Sequence, residues 1–133
     1  MLGEQIAESR GKRTGRRVLS VDGGFKVEVA FETTGKLLGI DTNEIGTYWS
    51  ASRPDGSLYG EGQGIVGTPD GEGATWKGQG VGKFVAGGAI SYRGAVYYNS
   101  ASPKFARLNT VAAVFEFEVD AQGNIHSKLW EWK

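Results

Sequence analysis

Glycine stands at every second position in two runs of this chain, Gly60-Glu61-Gly62-Gln63-Gly64 and Gly78-Gln79-Gly80-Val81-Gly82. A helix would scatter these glycines around its surface and lose about 1 kcal/mol at each relative to alanine. A strand, whose side chains alternate between two faces, gathers them on one face. The two runs flank Pro69-Asp70-Gly71, where proline presets φ, aspartate bonds the local backbone and glycine supplies positive φ. They are therefore predicted to lie side by side in one hairpin.

The same alternation of strand-like runs and turn signals continues from about Val18 onward, at the roughly 8–12-residue spacing of sandwiches and barrels. The turns are Asp22-Gly23-Gly24, Thr34-Gly35-Lys36, Pro54-Asp55-Gly56, Pro69-Asp70-Gly71, Gly87-Gly88 and Gln122-Gly123-Asn124. Between them lie strands at about Lys12 to Val21, Phe25 to Thr34, Lys36 to Thr42, Thr47 to Arg53, Ser57 to Thr68, Ala74 to Val85, Ala89 to Ser100, Thr110 to Asp120 and Ile125 to Trp132. Glu4 to Ser9 is a candidate for one more. Consecutive hairpins make a meander, and closing it removes the exposed edges of an open sheet. The fold expected is all-β, a closed antiparallel up-and-down barrel of about eight strands, with a β-sandwich as the alternative. With 133 residues the chain suits one domain, residues 1–133. The polar stretch Ser100 to Asn109, with Pro103, is expected to form a helical turn capping one barrel end.

Composition narrows the function classes. There is no cysteine, which removes disulfides, thiol catalysis and thiolate metal sites. No charged segment followed by an apolar one opens the chain, so the expected compartment is the cytoplasm, and no apolar run is long enough for a membrane helix. Fifteen basic residues balance fifteen acidic ones, so no overall field draws nucleic acid or anionic membrane. The basic residues Arg10, Lys12, Arg13, Arg16 and Arg17 nevertheless crowd together. Without interleaved aromatic rings they lack the stacking platform of single-strand binders, and glycines at 11 and 15 suggest a solvated loop.

Splitting each strand into faces locates the interior. Val27, Val29 and Phe31 separate from Lys26, Glu28 and Glu32, and Ala113, Phe115, Phe117 and Val119 from Glu116, Glu118 and Asp120. The apolar sets face inward. By the same rule Trp76, Gly78, Gly80, Gly82 and Phe84 face inward, as do Leu58, Gly60, Gly62, Gly64 and Val66, and Ile90, Tyr92, Gly94, Val96 and Tyr98. Each inward glycine forfeits packing. Either rings from opposite strands fill the space, or a cavity remains, walled by the candidate ligand-binding residues Trp76, Phe84, Tyr92, Tyr98, Phe115 and Phe117.

Other motifs fail on their context. Gly62-Gln63-Gly64-Ile65-Val66-Gly67 fits a dinucleotide fingerprint but leads into a hairpin turn instead of a helix. Asp41-Thr42-Asn43 begins like a calcium loop, yet Ser52 stands where a bidentate glutamate is needed. His126, the single histidine, reads as a strand-surface residue. No metal site or cofactor is expected. Arg93 and Glu116 fall on the outer face. In Ile125 to Trp132 the face is open: either Trp130 points in and Glu131 out, or Glu131 is buried as a candidate acid or base.

The runs Gly46-Thr47-Tyr48-Trp49, Arg53-Pro54-Asp55-Gly56, Leu58 to Gly64, Ala74 to Gly82, Phe115 to Asp120 and Trp130-Glu131-Trp132-Lys133 resemble a family of small uncharacterised prokaryotic all-β proteins. That family's fold is similar to the allene oxide cyclase-like, calycin-type barrel. The resemblance implies a barrel that holds a hydrophobic molecule or cyclises one, although none of the cyclase's active-site residues is matched here. Three functions follow as expectations: binding of a hydrophobic or aromatic small molecule, isomerase or cyclase chemistry inside the same cavity, and a homo-oligomeric module joined through the outward apolar residues Ile65, Val81, Val85 and Tyr97.

Overall fold

The computed structural model describes all 133 residues. Eight antiparallel strands follow one another around a closed barrel in chain order: β1 Leu2–Ser20, β2 Lys26–Leu37, β3 Ile40–Ser52, β4 Leu58–Gly67, β5 Gly73–Val85, β6 Ala89–Asn99, β7 Ala112–Val119 and β8 Asn124–Trp132. Pairing of β1 with β8 closes the ring, so a sandwich is excluded. No helix is long and apolar enough to cross a membrane.

Two segments differ from the sequence expectation. The N-terminal strand is a single element from Leu2 to Ser20, and the basic segment lies within it as strand and not as a loop. Gly11 marks a close approach and no turn: a methyl group there would stand 2.0 Å from the Glu32 carbonyl oxygen. Gly35 is its counterpart, with 2.0 Å to the carbonyl oxygen of Glu8. These glycines let β1 and β2 coil tightly around each other, and β2 runs straight through the expected Thr34-Gly35-Lys36 turn. The chain reverses later, at Leu38 and Gly39, both with positive φ (51° and 78°) between the paired Leu37 and Ile40. That is the two-residue hairpin geometry suited to the twist of the flanking strands. The two predicted strands Lys36 to Thr42 and Thr47 to Arg53 consequently do not exist separately, and β3 is continuous through Asn43 to Gly46.

The connection from β6 to β7 closes one end of the barrel. Its short 3₁₀ segment, Ala106–Thr110, is the expected capping turn. Phe105 and Leu108 are both 0% exposed and pack against Ile6, Leu37, Tyr98 and Leu129. The neck of this plug is tied by reciprocal bonds: Ser100 N donates to Asn109 Oδ1 (2.8 Å), and Asn109 Nδ2 donates to the Ser100 carbonyl (2.9 Å). At the opposite end, pairing of β1 with β8 stops at Lys12 and Asn124, while β1 and β2 continue together to Ser20 and Lys26. The β1–β2 hairpin thus overhangs the mouth.

Candidate functional site within the barrel

The inward glycines are mostly spaces for rings. A methyl on Gly46 would meet the Phe31 ring at 2.2 Å, one on Gly64 the Trp76 indole at 2.4 Å, and one on Gly82 the Tyr92 ring at 2.6 Å. Phe31, only 2% exposed, anchors this arrangement. It meets Phe117 edge-on (centroids 5.3 Å apart) and Trp76 in a stacked pair (6.4 Å), while Tyr48 makes edge contacts with Tyr92 and Phe117, both at 5.7 Å. Offset and edge-on pairs of this kind are the favoured geometries for aromatic quadrupoles.

The rings do not fill the barrel completely. A cavity of about 80 Å³ remains, with Glu44, Tyr48, Trp76, Tyr92, Tyr98 and Phe117 among its walls. Of the six residues expected to form such a site, Trp76, Tyr92, Tyr98, Phe115 and Phe117 line it. Phe84 does not. It keeps the inward parity, opposite Ile90, but lies where β5 reaches the rim and is 56% exposed.

The polar part of the site comes from β3. Because this strand is continuous, its period of two runs through Thr42, Glu44, Gly46, Tyr48 and Ser50, and Glu44 is carried inward with the rest. Its Oε1 accepts a hydrogen bond from Thr33 Oγ1 (2.7 Å) and its Oε2 one from Trp76 Nε1 (2.6 Å). Burial pushes the Glu44 carboxyl above the ordinary glutamate range, and these two donors offset the rise only in part. The indole N–H can only donate, whereas the Thr33 hydroxyl can also accept, so Thr33 is the partner able to take a hydrogen bond from this carboxyl when it is protonated.

Three tyrosines line the same cavity. Tyr92 donates to Ser50 Oγ (2.9 Å). The Tyr98 side chain is buried and lines the cavity. Burial, and then the nearby charge of Glu44, raise the Tyr98 hydroxyl far above the usual phenol range. Tyr48 is raised likewise by burial. The cavity is therefore an aromatic chamber whose inward-facing polar side chains are hydroxyls and the Glu44 carboxyl, Glu61 and Gln79 bordering it from outward-facing positions. No three histidine, aspartate or glutamate side chains gather as a metal site.

The remaining candidates lie elsewhere. His126 sits on the outer face, its Nε2 2.6 Å from Glu8 Oε2. Arg93 pairs with Glu118 (2.7 Å) and Glu116 (3.9 Å) outside the barrel. In β8 the inward set is Ile125, Ser127, Leu129 and Glu131, and Trp130 and Trp132 point outward. Glu131 is thus the buried choice, its side chain 15% exposed, but it sits at the plugged end and pairs with Arg107 (3.0 Å) outside the cavity. The outward apolar residues Ile65, Val81, Val85 and Tyr97 are all exposed in the single chain.

No protein-family model matches the sequence, and no curated protein matches it. Solved structures do match in fold. A protein of unknown function from Clostridium acetobutylicum ATCC 824 superposes with a TM-score of 0.85 at 13% identity, over 98% of each chain. A beta-barrel like protein from Acinetobacter baumannii AYE superposes at 0.82 with 15% identity, over 100% of this chain and 96% of its own. An enzyme from Penicillium herquei superposes at 0.68 with 15% identity, over 96% of this chain and 92% of its own. The chain therefore shares its architecture, end to end, with small barrel proteins mostly of unknown function.

Proposed function

We propose that the barrel binds a small hydrophobic or aromatic molecule in its interior, with Trp76, Tyr92, Tyr98, Phe115 and Phe117 as walls and Glu44 and Tyr98 as its polar contacts. The observation that carries this reading is the cavity itself, lined by the rings of Trp76, Tyr92, Tyr98, Phe115 and Phe117 and reached by the Glu44 carboxyl that Thr33 and Trp76 hold in place. The cavity of about 80 Å³ is smaller than the roughly 300–1,000 Å³ typical of ligand pockets. The ligand is accordingly small, a single ring at most, seated by rotation of Tyr48 and Phe117. The resemblance to allene oxide cyclase-like barrels supports the same location.

The test is titration of the isotope-labelled protein with single-ring phenols and aromatic aldehydes, read at the Trp76 indole N–H. Saturable shifts at that proton are expected, with affinity reduced about tenfold in Tyr98→Phe, the equivalent of one hydrogen bond. Absence of any shift at Trp76 across the set, with intact spectra, would falsify the reading.

A second reading, proton transfer to a bound carbonyl compound, is favoured by Glu44, an enclosed carboxyl that reaches the cavity. It predicts deuterium exchange from heavy water into the carbon next to the ligand's carbonyl in the presence of the protein, lost in Glu44→Gln.

A further inference from the structure

Of the basic segment of β1, Arg17 alone is matched by an acidic partner. Register shows where the segment's charges go. Residues opposite each other in a ladder share a face, and Arg13 lies opposite Phe31 and Arg16 opposite Val29, both core residues. A bulge between Arg13 and Gly15 sets this parity. Two arginines of the segment therefore stand on the inner face of the overhanging hairpin, above the mouth.

Their inner-face position separates them from the other cations of the segment, of which Arg10 and Lys12 likewise make no ion pair. Arg17, on the outer face, pairs with Glu28 (3.1 Å), whereas Arg13 and Arg16 make no ion pair. The Arg13 guanidinium rests against the β7–β8 turn, where a methyl on Gly123 would come within 3.2 Å of its Nε, so it reaches across the rim from β1 toward β8. Both arginines act electrostatically on the Tyr48 hydroxyl, which lines the cavity. Val29 lies opposite Tyr48 in the next ladder. Two unpaired guanidinium groups thus stand at the entrance of an aromatic chamber that carries no other cation among its walls.

Resting on the binding function proposed above, we propose that Arg13 and Arg16 select an organic anion: a molecule with an apolar ring for the chamber and a terminal oxyanion, carboxylate or phosphate, held at the mouth by the two guanidinium groups. Arginine's planar fork matches both anions, and its charge-assisted bonds are about twice as strong as neutral ones. An anion at this place satisfies two charges that the protein leaves unpaired, and the ring beneath it lies against Tyr48 and Phe117.

Calorimetric titration with benzoate, phenyl phosphate and the neutral methyl benzoate tests this, with the Trp76 indole resonance as a second readout. The expected result is that at least one anion binds about tenfold or more tightly than the ester, that the advantage falls as salt rises, and that Arg13→Gln and Arg16→Gln each remove most of it. Benzoate binding with phenyl phosphate excluded assigns the site to carboxylates, and the reverse to phosphates. The control is Lys12→Gln, which removes the same charge from the outer face, opposite Glu32, and should leave the preference intact. Equal binding of ester and anions, or equal loss in Lys12→Gln and the arginine variants, overturns the anion site while leaving interior binding standing. Failure of all three probes to bind or to move Trp76 overturns both.

Discussion

At the scale of single residues, the interior is an exchange between missing and oversized side chains. Gly64 exists so that the Trp76 indole can lie across its strand and reach Glu44. Gly64→Ala puts a methyl 2.4 Å from Trp76 Nε1, and the indole must move; overpacking of this kind costs about 1–3 kcal/mol. Gly15 has nothing within 4 Å, so Gly15→Ala should fall within about 1 kcal/mol of the parent, on the stabilising side. Urea unfolding of the pair checks whether glycine itself or the ring above it is what matters. Glu44 adds a pH signature. Its folded carboxyl is raised above the unfolded value of 4.5 by burial, so the folded state holds that proton more tightly than the unfolded chain. The associated stability is complete below about pH 4.5 and is lost as pH rises through the folded value. Glu44→Gln has no proton to lose and can keep both partners, its oxygen accepting from Trp76 and its amide donating to Thr33. Relative to the parent, the variant should gain in melting temperature as pH climbs from about 4 to 8. Parallel profiles over that range would show that the carboxyl is not held out of water.

At the scale of elements, the parts that sequence reveals are those whose turn residues have one use. Both Pro-Asp-Gly turns, the glycine-spaced strands β4 and β5 and the capping segment all stand where the sequence predicts them. Two features account for the departures from that reading. Gly11 and Gly35 resemble turn glycines in sequence but serve backbone approach between β1 and β2, a requirement set by the partner strand and invisible along the chain. A turn at Gly35 implies a second break between Thr42 and Thr47, which splits β3 and leaves out Glu44, the main polar residue of the site, although counting back by twos from Tyr48 places it inward. The true reversal uses Leu38 in a left-handed conformation that leucine seldom adopts, so local propensity argued against it. The inward arginines were hidden too, because a bulge shifts the parity of β1 between Arg13 and Gly15. The plug makes a further prediction at this scale. Phe105 has no exposed surface, and Phe105→Ala should cost about 3–5 kcal/mol. The neck bonds between Ser100 and Asn109 do not involve Phe105, so loosening should be local first, seen as protease cleavage between residues 101 and 110 well below the melting temperature. Loss of protection across all strands at once would instead make the plug an integral part of the barrel's cooperative unit.

At the scale of the whole molecule, seven of the eight strand pairings join consecutive strands and the eighth joins the two ends of the chain. The consecutive hairpins close short loops, whereas the β1–β8 ladder, from Leu2 opposite Trp132 to Lys12 opposite Asn124, must bring together residues more than a hundred positions apart. Loop-closure entropy makes such contacts late and slow to form. The backbone N–H of Lys133 donates to the Met1 carbonyl at 2.7 Å, so a few glycine and serine residues can bridge the ends without strain. The exposed turn at Asp70 and Gly71 offers a place to open the chain instead. In a permutant joined between Lys133 and Met1 and opened at that turn, the slow ladder becomes a local hairpin, and the pairing of β4 with β5, whose inward face is mostly glycine, becomes the distant one. Two consequences separate. The folded structure should persist, with a single cooperative urea transition, because every ladder survives. Its stability should fall, because the opened hairpin loses the tight turn that held its register and glycine faces hold register weakly. Equilibrium urea unfolding, with refolding rates measured alongside, distinguishes the outcomes: a permutant as stable as the parent would mean that ring contacts, such as Trp76 over Gly64, and not turn geometry hold the glycine strands in place. That result would make the aromatic chamber the organising centre of the fold as well as its candidate site.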